Sequence, residues 1–206
     1  MNIIDELIEI FRKFPGVGPR QAERFVYYLL RQKKDYLQKF VKLIPELDHK
    51  VKNCEICRRF YLSEYQNHNI CNICSNKNRD TKIVMLVARD VDLLSVEKSD
   101  NYKGVYFVLG GLVPVLDREP SKKIRLTELM SFLNKKIIDN DLGEVIIALS
   151  ANPEGDNTTE IIKKEAKEIV EKNNIKVTVL GRGLSTGTEL EYSDSQTIKS
   201  ALKNRF

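Results

Sequence analysis

Lys82-Ile83-Val84-Met85-Leu86-Val87 is an apolar run with no polar alternation after its first residue. A strand with one wet face alternates polar and apolar side chains, whereas one buried on both faces does not. Three later runs repeat the signature: Val105-Tyr106-Phe107-Val108-Leu109, Val145-Ile146-Ile147-Ala148-Leu149 and Val177-Thr178-Val179-Leu180. Helical spacing fills the intervals at 91–98, 125–140 and 157–173, the last read with Asn157 as N-cap and Glu160 completing a capping box. Strands alternating with helices predict an α/β fold, a mostly parallel sheet covered on both faces, with ligands at the carboxyl ends of its strands.

Immediately upstream lie all four cysteines, as Cys54-x2-Cys57, thirteen residues, then Cys71-x2-Cys74. A C-x2-C pair on a tight turn offers two sulfurs from one side, and two such pairs complete the tetrahedral thiolate shell that zinc favours. Such a site is closed and structural. The thirteen residues between the pairs are too polar to form a core, so the metal must supply folding energy, about 10–16 kcal/mol in comparable peptides. Two disulfides or four buried thiols are the alternatives, and nothing in the chain suggests export. His68 and His49 read as surface residues, and Tyr61 and Tyr65 as caps on the loop. The polar stretch 76–80 is a linker.

Further toward the N-terminus, Ile3, Leu7, Ile10, Phe11 and Phe14 follow helical spacing behind Asn2 as N-cap. Pro15-Gly16-Val17-Gly18-Pro19 interrupts it, with two glycines permitting positive φ, and Ala22, Phe25, Val26, Leu29 and Leu30 mark a second helix over 19–32. This helix-hairpin-helix pattern leaves N–H groups free at a helix N-terminus, where phosphate oxygens bind. Arg20 and Arg24 share one face beside the turn, and Arg31 extends the line. Sequence-independent DNA binding through Gly16, Gly18, Arg20 and Arg24 is expected; the alternatives are an ordinary hairpin with solvated arginines, or one that docks another protein. A third helix, 35–44, is expected to bury Leu37, Phe40, Val41 and Ile44 before Pro45.

The 206 residues carry a net charge of +5. Residues 1–80 hold 15 Lys and Arg against 10 Asp and Glu, while residues 81–206 hold 19 of each, so the whole excess is N-terminal. No basic segment precedes an apolar run, no stretch approaches membrane-spanning length, and mean hydropathy is −0.34, so a cytoplasmic protein with reduced thiols is expected.

A helix-hairpin-helix, a four-cysteine module and an α/β domain in this order resemble the bacterial recombination mediator family RecR. The particular matches are Pro15 to Arg24, Cys71 to Asn76, Tyr106 to Gly110, Pro153-Glu154-Gly155-Asp156 with Thr158, and Gly187 to Tyr192. The resemblance implies that the α/β domain is a Toprim domain. It divides the chain into a helix-hairpin-helix region at 1–53, a four-cysteine zinc module at 54–76, the Toprim-like domain at 81–180, and a C-terminal tail and helix at 181–206 for oligomer contacts.

The resemblance further implies a non-catalytic mediator that binds DNA as a homo-oligomer, a dimer or ring tetramer. It would act with RecO, and RecF, to load the RecA recombinase at gaps. Working Toprim enzymes hold Mg2+ with a glutamate after the first strand and a D-x-D after the third. Here Ala88 stands where the glutamate is usual, and Glu154 and Asp156 are the only acids after the third strand. They read as vestigial, with a Mg-dependent nuclease or primase as the alternative. The turn 181–188 is glycine-rich but has Ser185 where the family usually has a proline, and it lacks the Lys-Ser/Thr ending of a P-loop. Ile198, Ala201 and Leu202 give the last helix a packing face.

Overall fold

The structure is a computed structural model that describes residues 2–63, 69–117, 119–181, 183–184, 187, 190–193 and 195–203. Tyr65, His68 and Ser185 lie outside the described residues. The chain forms two compact units, Met1–Val51 and Lys52–Phe206.

In the first unit, α1 (Ile3–Arg12) and α2 (Pro19–Leu30) pack into a hairpin. Asn2 caps α1, its Oδ1 accepting from the N–H groups of Ile4 at 2.9 Å and Asp5 at 3.0 Å. Only Phe11, Ala22 and Val26 are buried, with Ile4, Leu7, Val17 and Phe25 packed around them. Phe11 meets Phe14 and Phe25 edge-on at 5.5 and 5.6 Å between ring centres.

The third helix, α3 (Lys34–Lys50), extends through Pro45 and departs from expectation, for none of its residues is buried. Val41 is 66% exposed, Ile44 52% and Phe40 38%. Apolar spacing had marked a face, yet among the described residues none of α3 joins the buried cluster of the hairpin.

The division between the units falls inside β1 (Val51–Asn53), which pairs with β2 (Phe60–Leu62) in a small ladder. A four-stranded sheet follows, from β3 (Asp80–Val87), β4 (Gly104–Val108), β5 (Glu144–Ala148) and β6 (Lys176–Val179). Its order is β4-β3-β5-β6 and every pairing is parallel. The helices α4 (Asp90–Ser99), α5 (Leu126–Ile138) and α6 (Pro153–Lys172) make the crossovers, and α7 (Ser195–Lys203) comes last.

Period-two geometry sorts the strand residues between two cores. Val84 and Leu86 of β3, Val105 and Phe107 of β4, and Val145 and Ile147 of β5 share one face with Leu129 and Leu133 of α5 and Ile162 of α6. Met85, Val87, Tyr106 and Val108 point the other way. On that second face only α4 supplies a helix, through Leu93, and the remainder of the cover is Cys54, Cys57, Tyr61, Cys71 and Ile73. The cysteine module therefore stands where a parallel sheet ordinarily carries another helix. A sheet with one face half open would leave Met85 and Val108 wet.

The helix expected from Asn157 starts earlier. Asn152 is its cap, with Oδ1 accepting from the Gly155 N–H at 2.8 Å, and Pro153 occupies the first turn. Asn157 lies inside α6 and donates instead to the carbonyl oxygens of Val113 at 3.0 Å and Pro114 at 3.3 Å. Polar residues at 152, 156 and 157 offered rival caps, and Pro153 was the discriminating signal.

Candidate metal centre and nucleic-acid interface

The two C-x2-C pairs converge. The sulfurs of Cys54, Cys57, Cys71 and Cys74 all lie within 4.8 Å of one another, and Cys57 Sγ is 3.6 Å from Cys71 Sγ. Metal–sulfur bonds of about 2.3 Å in a tetrahedron require sulfur–sulfur edges of roughly 3.8 Å, so the cluster has the dimensions of a thiolate shell. Among the described residues it is the only group of three or more His, Cys, Asp or Glu side chains so placed. Four soft donors this close could hold a metal ion.

Local backbone geometry builds the shell. The Arg58 N–H donates to the Cys54 carbonyl at 3.0 Å with Arg58 in the left-handed region at φ 64, and the Ser75 N–H donates to the Cys71 carbonyl at 3.0 Å. The Cys71 N–H is aimed at Cys54 Sγ, 3.3 Å away. Hydrogen bonds link the four sulfurs: those from Cys57, then Cys71 and Cys74, lower the Cys54 thiol, while the hydrogen bond with Cys54 raises Cys57 and Cys74.

Three further contacts fix the module to the sheet. The Val108 N–H donates to the Cys57 carbonyl at 2.8 Å. Arg125, at the start of α5, donates through Nη1 to the carbonyl oxygens of Arg58 and Val108, both at 3.0 Å. The Phe60 N–H donates to Asp90 Oδ1 at 2.8 Å. Sequence reading missed Arg125 and Asp90, since nothing local distinguishes an arginine that binds carbonyl groups from a solvated one.

Within the linker, Arg79 forms a two-pronged ion pair with Glu97 of α4 and also donates to the Gly104 carbonyl at 3.0 Å. Tyr106 donates to Glu97 Oε1 at 2.6 Å. Burial pushes the Glu97 carboxyl up, but the Arg79 and Tyr106 hydrogen bonds outweigh it and leave the group below the usual range. Burial first, then the Glu97 carboxylate, raise the Tyr106 phenol, so it stays protonated and donating.

Glu154 and Asp156 are exposed in the first turn of α6, where the helix dipole favours acids without any cation. Ala88 is buried. No third acid joins the pair in a cluster among the described residues. The other matched residues of this stretch have structural work. A Cβ on Gly155 would lie 1.9 Å from the Ser150 carbonyl oxygen, so only glycine fits. Thr158 Oγ1 donates to the Glu154 carbonyl at 2.6 Å and accepts from the Val113 N–H at 2.8 Å, pinning the loop after β4.

In the helical unit, Gly16 takes φ +76, whereas Gly18 is extended at φ −83 and serves as the N-cap of α2. Only the first glycine therefore needs its conformational freedom. Gly18 gives α2 no side-chain cap, and a Cβ at either glycine would meet nothing within 4 Å. Neither glycine N–H donates to a backbone carbonyl among the described residues. Arg20 and Arg24 are exposed one turn apart on α2, and no acid occupies its first turn. An uncapped, glycine-flanked helix N-terminus with two adjacent guanidinium groups has the chemistry of a phosphate cradle.

Three family models match the chain. Residues 4–46 match the RecR helix-hairpin-helix, residues 82–181 a Toprim domain, and residues 183–205 the RecR C-terminal region. Recombination protein RecR of Lactobacillus acidophilus is 34% identical over 202 residues, covering 98% of this chain and 96% of the relative. Its namesake in Bacteroides fragilis is 34% identical over 204 residues, covering 99% and 93%, and that of Rickettsia typhi 36% identical over 204 residues, covering 99% and 96%.

Proposed function

Because this chain belongs to the RecR family of recombination proteins, we propose that it is a non-catalytic mediator of recombination and repair that binds DNA without reading its sequence. The open α2 N-terminus with Arg20 and Arg24 carries this reading. Backbone N–H groups orient a phosphate, the arginines hold it, and no side chain is arranged to discriminate bases. A single cradle with two arginines binds only at about 10⁻⁴–10⁻⁶ M at physiological salt. A homo-oligomer, a dimer or ring tetramer, would convert several such contacts into avidity.

The bare apolar face of α3 supports that assembly. Val41, Ile44 and Leu47 are each more than half exposed on a unit whose own core holds three buried residues. So small a core is marginal by itself, and covering α3 would stabilise it. The tail after β6 adds exposed Leu190, Tyr192 and Leu202. In this role the protein would act in the cytoplasm with RecO and RecF to load RecA at gaps. No helix among the described residues is long and apolar enough to cross a membrane.

The ion in the cysteine cluster is Zn2+ in this reading, held by four thiolates and structural. Fluorescence anisotropy with a labelled oligonucleotide across a salt titration tests the DNA contact. Arg20→Ala with Arg24→Ala should weaken binding and lower the slope of log K against log salt by up to about 2. An unchanged slope in a folded double variant would remove these residues from the interface. Incubation with labelled DNA, nucleotides and Mg2+ separates the mediator from a Toprim nuclease or primase using Glu154 and Asp156, since a mediator leaves the strand unaltered.

A further inference from the structure

The four cysteines are not equally buried. Cys54, Cys57 and Cys71 are fully buried at 0% exposure, whereas Cys74 is partly exposed. Of the four, Cys74 alone lines a cleft of about 450 Å³ between the cysteine module and α5. Ile56 and Arg58 form one wall; Glu128, Ser131 and Lys135, exposed on successive turns of α5, form the other. A divalent ion with six waters at about 30 Å³ each occupies roughly 200 Å³, so it fits with room for a competing ligand.

Charge favours the same route. Lys136 is held by Asp141 at 2.6 Å and cancels it. What remains along the cleft is Glu55, Glu128 and Asp139 against Arg58 and Lys135, a net single negative charge that draws cations inward. Tyr61 and Ile73 share the buried cluster with the three fully buried cysteines.

We propose that metal is exchanged through this cleft, with Cys74 as the ligand that opens and the other three as the ligands that hold. The inference rests on the reading of the cluster as a metal centre. In exchange by a chelator, a donor atom of the chelator bonds to the ion as the ion–Cys74 sulfur bond breaks, and the released thiolate takes a proton from water. With a soft electrophile such as iodoacetamide, the Cys74 sulfur attacks carbon, iodide departs, and the thioether that forms no longer holds the ion as a thiolate does. The remaining ligands then release metal readily.

The test uses the full-length, zinc-loaded protein. Iodoacetamide is applied over a time course with peptide mapping of each cysteine, while released zinc is read by a colorimetric chelator. Cys74 should be alkylated at least about tenfold faster than the other three, with zinc release following its modification, because reaction tracks exposure of the thiolate. Ser131→Trp and, separately, Lys135→Trp narrow the cleft from exposed helix positions and should slow both processes without changing thermal stability. Equal or earlier alkylation of Cys54, Cys57 or Cys71 in zinc-loaded protein, or unchanged rates in both tryptophan variants, overturns the route alone. A protein that purifies without metal and refuses zinc on reconstitution overturns the metal centre itself.

Discussion

The backbone N–H of Val108, the last residue of β4, donates to the carbonyl oxygen of Cys57 across 2.8 Å. A residue of the cysteine cluster and a sheet residue thus share one hydrogen bond. Arg125 completes the link by donating to both Arg58 and Val108. Order in the cysteine turn and order at the end of β4 are consequently one property.

Arg125→Leu keeps much of the aliphatic bulk and removes the donors. The carbonyl oxygens of Arg58 and Val108 lose a charged partner, at a cost of about 1–3 kcal/mol. Urea unfolding should report a lower midpoint with unchanged m-value, and chelator competition a weaker zinc affinity. Unaltered zinc affinity would separate the two sites.

Acid should weaken the Arg79–Glu97–Tyr106 network. Glu97 titrates lower in the folded protein than in the unfolded chain, whose carboxyl lies near about 4.3, so its contribution is present above that value and is lost as pH falls through the depressed folded one. Glu97→Gln should lower stability at neutral pH and flatten the loss on acidification below about pH 4. Thermal melts from neutral pH to about pH 3 compare the slopes.

The two turn glycines should respond differently. Gly16→Ala forces an L side chain to φ +76 and should destabilise the hairpin by about 1 kcal/mol or more. Gly18→Ala carries no such strain at φ −83, yet its methyl projects into space open to a ligand. Circular dichroism should separate Gly16→Ala from wild type, whereas DNA affinity should fall for both.

Substituting Val41→Asp with Ile44→Asp places charge on the exposed face of α3 without touching any buried residue. If that face joins copies of the chain, light scattering should show a smaller mass and the helical unit should melt earlier. Unchanged mass would assign the face to a different partner.

Much of the fold was legible because buried parallel strands have a blunt signature. Ile83 to Val87, Val105 to Leu109 and Val145 to Leu149 permitted no other reading, and the four cysteines announced their own cluster. What stayed hidden depends on tertiary partners. Periodicity gave α3 an apolar face but no means of knowing that, among the described residues, none of that helix is buried. The start of α6 was obscured by competing caps at Asn152 and Asn157. Arg79 and Arg125 looked like any surface arginine, because their carbonyl and carboxylate partners come from distant positions. The resemblance carried by Gly155 and Thr158 concerned close packing and loop attachment, to which a single sequence is blind.

The position of Val108 has one more consequence. β4 is an outer strand of the sheet, and such a strand offers unpaired N–H and C=O groups to any passing chain. At Val108 both groups are occupied, one by the Cys57 carbonyl and the other by Arg125. The cysteine loop is in this sense a guard rail against intermolecular strand addition. For the zinc-bound protein proposed above, stripping the ion would do more than slacken a loop: it would uncover a template for self-association, and precipitation on chelator treatment is the expected readout.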